Sequence, residues 1–241
     1  MERKEGRKAD ELRPVKITPN FLSHPAGSVL MEMGGTRVLC AATFEPGVPP
    51  WMRAQNVPGG WLTCEYGLLP SSTHTRTSRE AAKGKQSGRT LEIQRLIGRA
   101  LRSIVDLDKL GPNTFYIDCD VMDADGGTRC ASITGACVAL ALACEKLVKE
   151  GVLAESPLKE LAAAVSIGIK NGELLLDLCY EEDSSADVDM NIVMTSSGRL
   201  IEVQGTAEEV PFTRAEMNGM LDLAEKGLNE LFALQKRILG K

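Results

Sequence analysis

The sequence of 241 residues predicts an α+β fold of layered β-sheets and helices. Two observations carry this: apolar residues alternate every second position in several short segments, and recur at helical spacing in three longer ones. A third is their order, which reads strands, helix, strand, helix, then strands and a last helix.

The elements follow in turn. Residues 15–44 are extended in pattern (VKI, SVLMEM, TRVLCAATF), with a hairpin turn at Gly34-Gly35. Residues 45–60, rich in Pro and Gly, read as loop, and WLTCEYGLL as a short strand. Residues 71–88 are polar, basic and poor in large apolar side chains, which predicts a long mobile loop; such loops in compact domains usually carry function. From Thr90 to about Asp108 a helix is expected. Ile93, Leu96, Ile97, Ala100, Leu101, Ile104 and Val105 form its buried stripe, and Arg95, Arg99 and Arg102 a separate polar one. TFYIDCDVM alternates as a strand with one apolar face. After DADGG a second helix is expected from about Arg129 to Glu150, apolar nearly all round and therefore central.

The last third opens with the hairpin AAVSIGIK–NG–ELLLDLCY, whose Asn171-Gly172 signals a type I′ turn. A polar loop at 181–186 leads into DVDMNIVMT, then SSGR and LIEVQG, a further hairpin. Thr213 and Glu216 form a capping box for the closing helix. The halves loosely repeat a strand pair followed by a helix, without a residue-level repeat. A single domain over 1–241 is expected, with parts at about 10–150 and 160–241.

Composition is ordinary for a globular protein, 43% hydrophobic and 25% charged, but aromatics are only 4%, so the core must be aliphatic. No apolar run reaches membrane-spanning length, and MERKEGRKADELR is too charged for a secretion signal; a cytoplasmic protein without a membrane partner is expected. Seven cysteines, with no CxxC pair, suggest reduced structural thiols, with Cys137 and Cys144 on one helix face. With only His24 and His74 in the chain, no zinc site is expected. The net charge of −5 argues against nucleic acid, but its distribution argues the other way. Residues 71–102 hold eight basic and two acidic side chains, a local +6 that leaves −11 on the other 209 positions. That pattern fits a confined polyanion site, and equally a solvated helix face beside a charged loop.

Two expected helix N-termini follow small residues and an arginine: QSGRT, with Arg89, and DGGTR, with Gly127, Thr128 and Arg129, then Ser132. Free N–H groups and the helix dipole attract phosphate there, and arginine adds a planar charged fork. Gly-Gly before a helix is usually only a turn; two such ends, each with an arginine, say more. The second constellation is acidic. Asp183 and Asp189 flank a polar loop, and Asp187, Asp189 and Asn191 share a strand face. Such oxygen ligands suit Mg²⁺, although the spacing alone fits solvated carboxylates around a turn better. No GxxxxGK[ST] occurs, which disfavours a nucleotide-binding loop of the kinase kind.

The chain resembles the ribonuclease PH family of the polynucleotide phosphorylase and exosome superfamily. The matching segments span nearly its whole length, among them GRKADELRPVKIT, EYGLLPSSTHTR, REAAKGKQSGRTLEIQRLIGRALR, IDCDVMDADGGTR, ASITGAC, VDMNIVMTSSG and IEVQGTAE. The resemblance implies a ribonuclease PH fold related to a ribosomal protein domain, and a phosphorolytic 3′→5′ exoribonuclease acting on tRNA precursors and other RNA. It implies phosphate binding at Arg89, Gly127, Thr128, Arg129 and Ser132, with Arg89, Arg129, Asp183 and Asp189 catalytic. It also implies Mg²⁺ (or Mn²⁺) on Asp183 and Asp189, RNA guidance by Arg76, Arg79 and Arg99, and a homo-hexameric ring, a trimer of dimers, with no DNA partner. A silent ring subunit, as found among eukaryotic exosome components, would have lost the arginines or the aspartates. Two departures stand out: Asn191 where polynucleotide phosphorylases carry lysine, and Cys130 where threonine is usual, a thiol open to oxidation beside the phosphate arginine.

Overall fold

The hydrophobic pattern resolves into two sheets that share one core. In a computed structural model, which describes residues 3, 6–208 and 210–241, the first sheet holds β1 (Val15–Pro19), β2 (Gly27–Met33), β3 (Thr36–Pro46), β4 (Trp61–Leu68) and β5 (Asn113–Asp123). Its order is β1-β2-β3-β5-β4, antiparallel except for β4 beside β5. That parallel pair needs a crossover, and α3 (Gly88–Ser103) supplies it, packed on β4. The second sheet is antiparallel, with β6 (Ala162–Lys170), β7 (Glu173–Leu176), β8 (Val188–Thr195) and β9 (Leu200–Ala207) in the order β7-β6-β8-β9. Asn171 (φ 51°) and Gly172 (φ 75°) close the β6–β7 hairpin with the expected left-handed pair.

Between the sheets runs α5 (Thr128–Lys149), against β2 and β3 on one side and β6 on the other. Its apolar circumference is thereby accounted for, each fully buried Leu or Ile contributing roughly 1.5–3 kcal/mol. By length and composition α5 could also cross a membrane, contrary to the sequence expectation that no run is long enough, but most of it is buried in this core. The closing helix α7 (Arg214–Ile238) covers β6 and β7, with Thr213 and Glu216 forming the expected capping box. From α7 the buried Gln235 amide donates to Thr134 O (3.0 Å) and Ala162 O (2.9 Å), tying helix, helix and sheet together.

Four short helices lie in or beside segments read as loop or as continuous helix: α1 (Pro50–Ala54), α2 (Glu80–Lys83), α4 (Leu107–Leu110) and α6 (Tyr180–Asp183). All seven cysteines are buried and free, as composition suggested.

Candidate active site

β5 ends at Asp123, and a four-residue turn hands the chain to α5. Gly126 (φ 73°) and Gly127 (φ 63°) are both left-handed. A Cβ on Gly126 would lie 2.6 Å from Leu178 O, because the turn packs on the backbone that enters α6. Gly127 is the N-cap of α5, so Thr128 and Arg129 open the helix, with free N–H groups at its positive end.

Each of these side chains is held. Thr128 Oγ1 lies 2.9 Å from the hydroxyl of buried Tyr66, on β4. Burial raises the Tyr66 phenol above its ordinary value, while its hydrogen bond with Thr128 and the charges of Arg89 and Arg129 pull it the other way. Arg129 donates to Gln204 Oε1 of β9 (2.6 Å) and lies 3.6 Å from Glu92 of α3, while Gln204 donates to Glu92 (3.3 Å). Arg89, the second residue of α3, is exposed and lines a cleft of about 780 Å³ with Arg79 and Tyr66.

Asp183 closes α6 and Asp189 lies on β8. Burial raises both carboxyls; Asp183 raises Asp189 further, and Arg129 lowers both. The two acids and the arginine are thus within electrostatic reach of one another. Among the described residues no group of three or more His, Cys, Asp or Glu side chains is placed to hold a metal ion.

α6 is fixed by the first residues of the chain. Arg3 makes a fork to the buried Glu182 carboxylate (2.7 and 2.8 Å), and Arg7 adds 3.2 Å. Burial alone would raise Glu182, but Arg3, the Cys179 N–H and Arg7 hold it down at about 2. Arg13 pairs with both oxygens of Asp177 (2.7 and 3.0 Å) and donates to Asp125 O in the turn before α5. Asp177 itself has φ 55°, a left-handed conformation that aspartate tolerates.

The remaining expected residues are placed unequally. Ser132 is fully buried one turn into α5, and its hydroxyl donates to Thr128 O (2.8 Å), so it braces the turn from behind. Arg76 and Arg79 are exposed, Arg79 at the cleft. Arg99 lies away from the cleft lining, ion-paired with Glu202 of β9 (2.6 Å). Arg102 stacks on Trp61 (5.0 Å) and donates to Leu62 O, a packing role. Burial pushes the Cys130 thiol up to about 12, away from the reactive thiolate, and the thiol donates to Asn191 Oδ1 (3.3 Å). The His74 ring lies 5.9 Å from that of Tyr180 at the start of α6.

Comparison with known proteins decides the assignment. Residues 11–144 match domain 1 of the 3′ exoribonuclease family, and residues 160–227 match its domain 2. The chain belongs to the ribonuclease PH family. It is 57% identical over 240 residues to Ribonuclease PH of Bacillus velezensis, covering 99% of this chain and 97% of that protein. Identity is also 57%, over 239 residues, to Ribonuclease PH of Bacillus subtilis, with the same coverage. Among solved structures, rice Rrp46 shares the fold with a TM-score of 0.80 at 21% identity, over 98% of this chain and all of that one. An Archaeoglobus fulgidus exosome with RNA bound to its active site gives 0.79 at 25% identity, over 95% of this chain and 91% of that one. As a member of the ribonuclease PH family the chain is a phosphorolytic 3′→5′ exoribonuclease, a phosphate-dependent tRNA nucleotidyltransferase.

Proposed function

We propose that inorganic phosphate, held by Arg89, Gly127, Thr128 and Arg129 at the N-terminus of α5, attacks the 3′-terminal phosphodiester of tRNA precursors and other RNA. An oxygen of phosphate bonds to the terminal phosphorus, the bond to the preceding 3′ oxygen breaks, that oxygen takes a proton, and a nucleoside diphosphate leaves. The exchanged bonds are alike, so excess diphosphate drives nucleotide addition. The reading is carried by Arg129, which acts on both Asp183 and Asp189 while Gln204 and Glu92 fix its fork. Asp183 and Asp189 would hold Mg²⁺, or Mn²⁺, which when bound offsets charge on the transferring phosphoryl group. The protein's own part is positioning and electrostatics, with no histidine required as base. Ser132 supports Thr128 from within the helix.

Arg76 and Arg79 guide the RNA backbone, with Arg99 joining them once it leaves Glu202. The enzyme works in the cytoplasm as a homo-hexameric ring, a trimer of dimers, in which the basic segments of six copies surround one opening; the likeness to exosome subunits supports this. The test is incubation of a 3′-tailed RNA with and without phosphate. Diphosphate products that require phosphate are expected; monophosphates formed without it would end the proposal.

A further inference from the structure

Residues 71–102 carry eight basic side chains and only two acidic ones, and in the structure both acids are engaged. Glu92 lies 3.6 Å from Arg129 and accepts from Gln204 (3.3 Å). Glu80, the first residue of α2, lines the arginine cleft together with Arg79, Ser87 and Arg89. One of its oxygens, Oε1, accepts from the Ser87 N–H (3.1 Å) and from Thr90 Oγ1 (2.8 Å). Ser87 is the N-cap of α3, and its hydroxyl accepts the Thr90 N–H (3.2 Å) and donates to Thr90 Oγ1 (3.0 Å). Three side chains thus form one closed set of hydrogen bonds, and every proton in it points towards the Glu80 carboxylate.

The set closes around Arg89, which follows the cap and precedes Thr90. Thr90 is only 7% exposed and anchors the turn, whereas Arg89 is exposed and takes its direction from the turn that carries it. Between the tied ends Lys83, Gly84, Lys85 and Gln86 are all exposed. Gly84 is left-handed (φ 69°), and a Cβ there would meet nothing within 4 Å. The Glu80 carboxylate is therefore what draws this loop onto the start of α3. We propose that Glu80 is a positioning residue for phosphorolysis: by fixing the first turn of α3 it aims Arg89 at the incoming phosphate. The inference rests on the phosphorolytic reading and deepens it. A carboxylate beside an anion site is tolerated here because two donors and the positive end of α3 offset its charge.

The test measures initial rates of tail shortening against phosphate concentration, at saturating RNA and Mg²⁺. Glu80→Ala is expected to raise the KM for phosphate about tenfold and to keep kcat within about twofold. Glu80→Gln retains the oxygen that accepts both bonds and drops only the charge, so it should restore the KM. Thr90→Val, which removes one donor and keeps the shape, should shift KM in the same direction as Glu80→Ala. In an Arg89→Ala background Glu80→Ala should cost nothing further, because its effect passes through that side chain. Faster hydrogen exchange at the Ser87 amide of Glu80→Ala, at an unchanged melting temperature, is expected from a tie that opens in a folded protein. A Glu80→Gln variant as poor as Glu80→Ala would overturn the proposal. So would a loss that adds in full to that of Arg89→Ala, or a fall in kcat at unchanged KM. A wild-type rate that ignores phosphate would instead remove the phosphorolytic reading, and the role of Arg89 with it.

Discussion

Two regions, proposed above as the phosphate site and the RNA path, are built in opposite ways. At the N-terminus of α5 the functional side chains have partners: Tyr66 for Thr128, Gln204 and Glu92 for Arg129, and Arg13 for the turn itself. Across the cleft, Arg76, Arg79, Lys83 and Lys85 are all exposed, and the segment is steadied mainly by Glu80, which accepts from Ser87 N–H (3.1 Å) and Thr90 Oγ1 (2.8 Å). The contrast separates two needs. A reacting phosphate must sit within tenths of an ångström of its target, so its ligands are locked before it arrives. A passing RNA backbone needs only charge along its path, so its ligands stay adaptable.

Breaking the locked side should therefore cost the most. Arg13→Ala leaves the buried Asp177 carboxylate with the backbone N–H of residue 13 (2.9 Å) and Arg7 at 4.0 Å as its remaining partners, and should lower stability by about 3–5 kcal/mol in urea denaturation. Next come Arg129→Ala and Arg89→Ala, each expected to reduce turnover by about 10²–10³-fold while the melting temperature moves little. Since both act on one anion, the double variant should fall short of the product of the two effects, as single-turnover kinetics would show. Asp189→Asn should raise the Mg²⁺ concentration needed for half-maximal rate by at least about tenfold and leave RNA affinity intact; an unchanged metal titration would remove it as a ligand.

On the adaptable side, Arg76→Ala combined with Arg79→Ala should weaken binding of structured RNA. It should also reduce the salt slope by roughly one unit per lost phosphate contact. A very short oligonucleotide should suffer less, because it never reaches the outer arginines. The smallest effect is expected away from both regions, on the open face of the first sheet. There burial, and then Glu65, raise Asp118 to about 6. Because the folded value lies above the unfolded one, Asp118 adds stability as pH falls through 6 towards 4, and withdraws it as pH rises. Asp118→Asn should flatten that limb and raise the melting temperature slightly at pH 7, read from unfolding curves across pH.

Local signals carried most of the fold. The Asn171-Gly172 turn, the Thr213 capping box and the apolar circumference of α5 each act within a few residues, and each is legible in the order of side chains. Boundaries were harder. α3 begins at Gly88 rather than Thr90, because the Ser87 hydroxyl accepts the Thr90 N–H. It ends at Ser103 rather than near Asp108, because Val105 bridges to Leu158 and Asp106 caps the separate turn α4. α6 hid inside a stretch read as loop, since what fixes it is Arg3, 179 residues from Glu182. In the site, glycine, arginine and aspartate announced themselves by residue type. Tyr66, Gln204 and Arg13 did not, for each reaches its partner across 62 to 164 positions and leaves no periodic trace.

The arginines at the start of the chain bear on how the enzyme comes into being. During synthesis Arg3, Arg7 and Arg13 emerge first, and their partners Asp177 and Glu182 emerge last but for β8, β9 and α7. Contacts so distant along the chain pay their loop-closure entropy late and form slowly. The first sheet can gather while the ribosome is still at work, but the phosphate turn is not braced until the second half has appeared. A nascent chain thus carries its basic segment into the open before the turn ahead of α5 is braced.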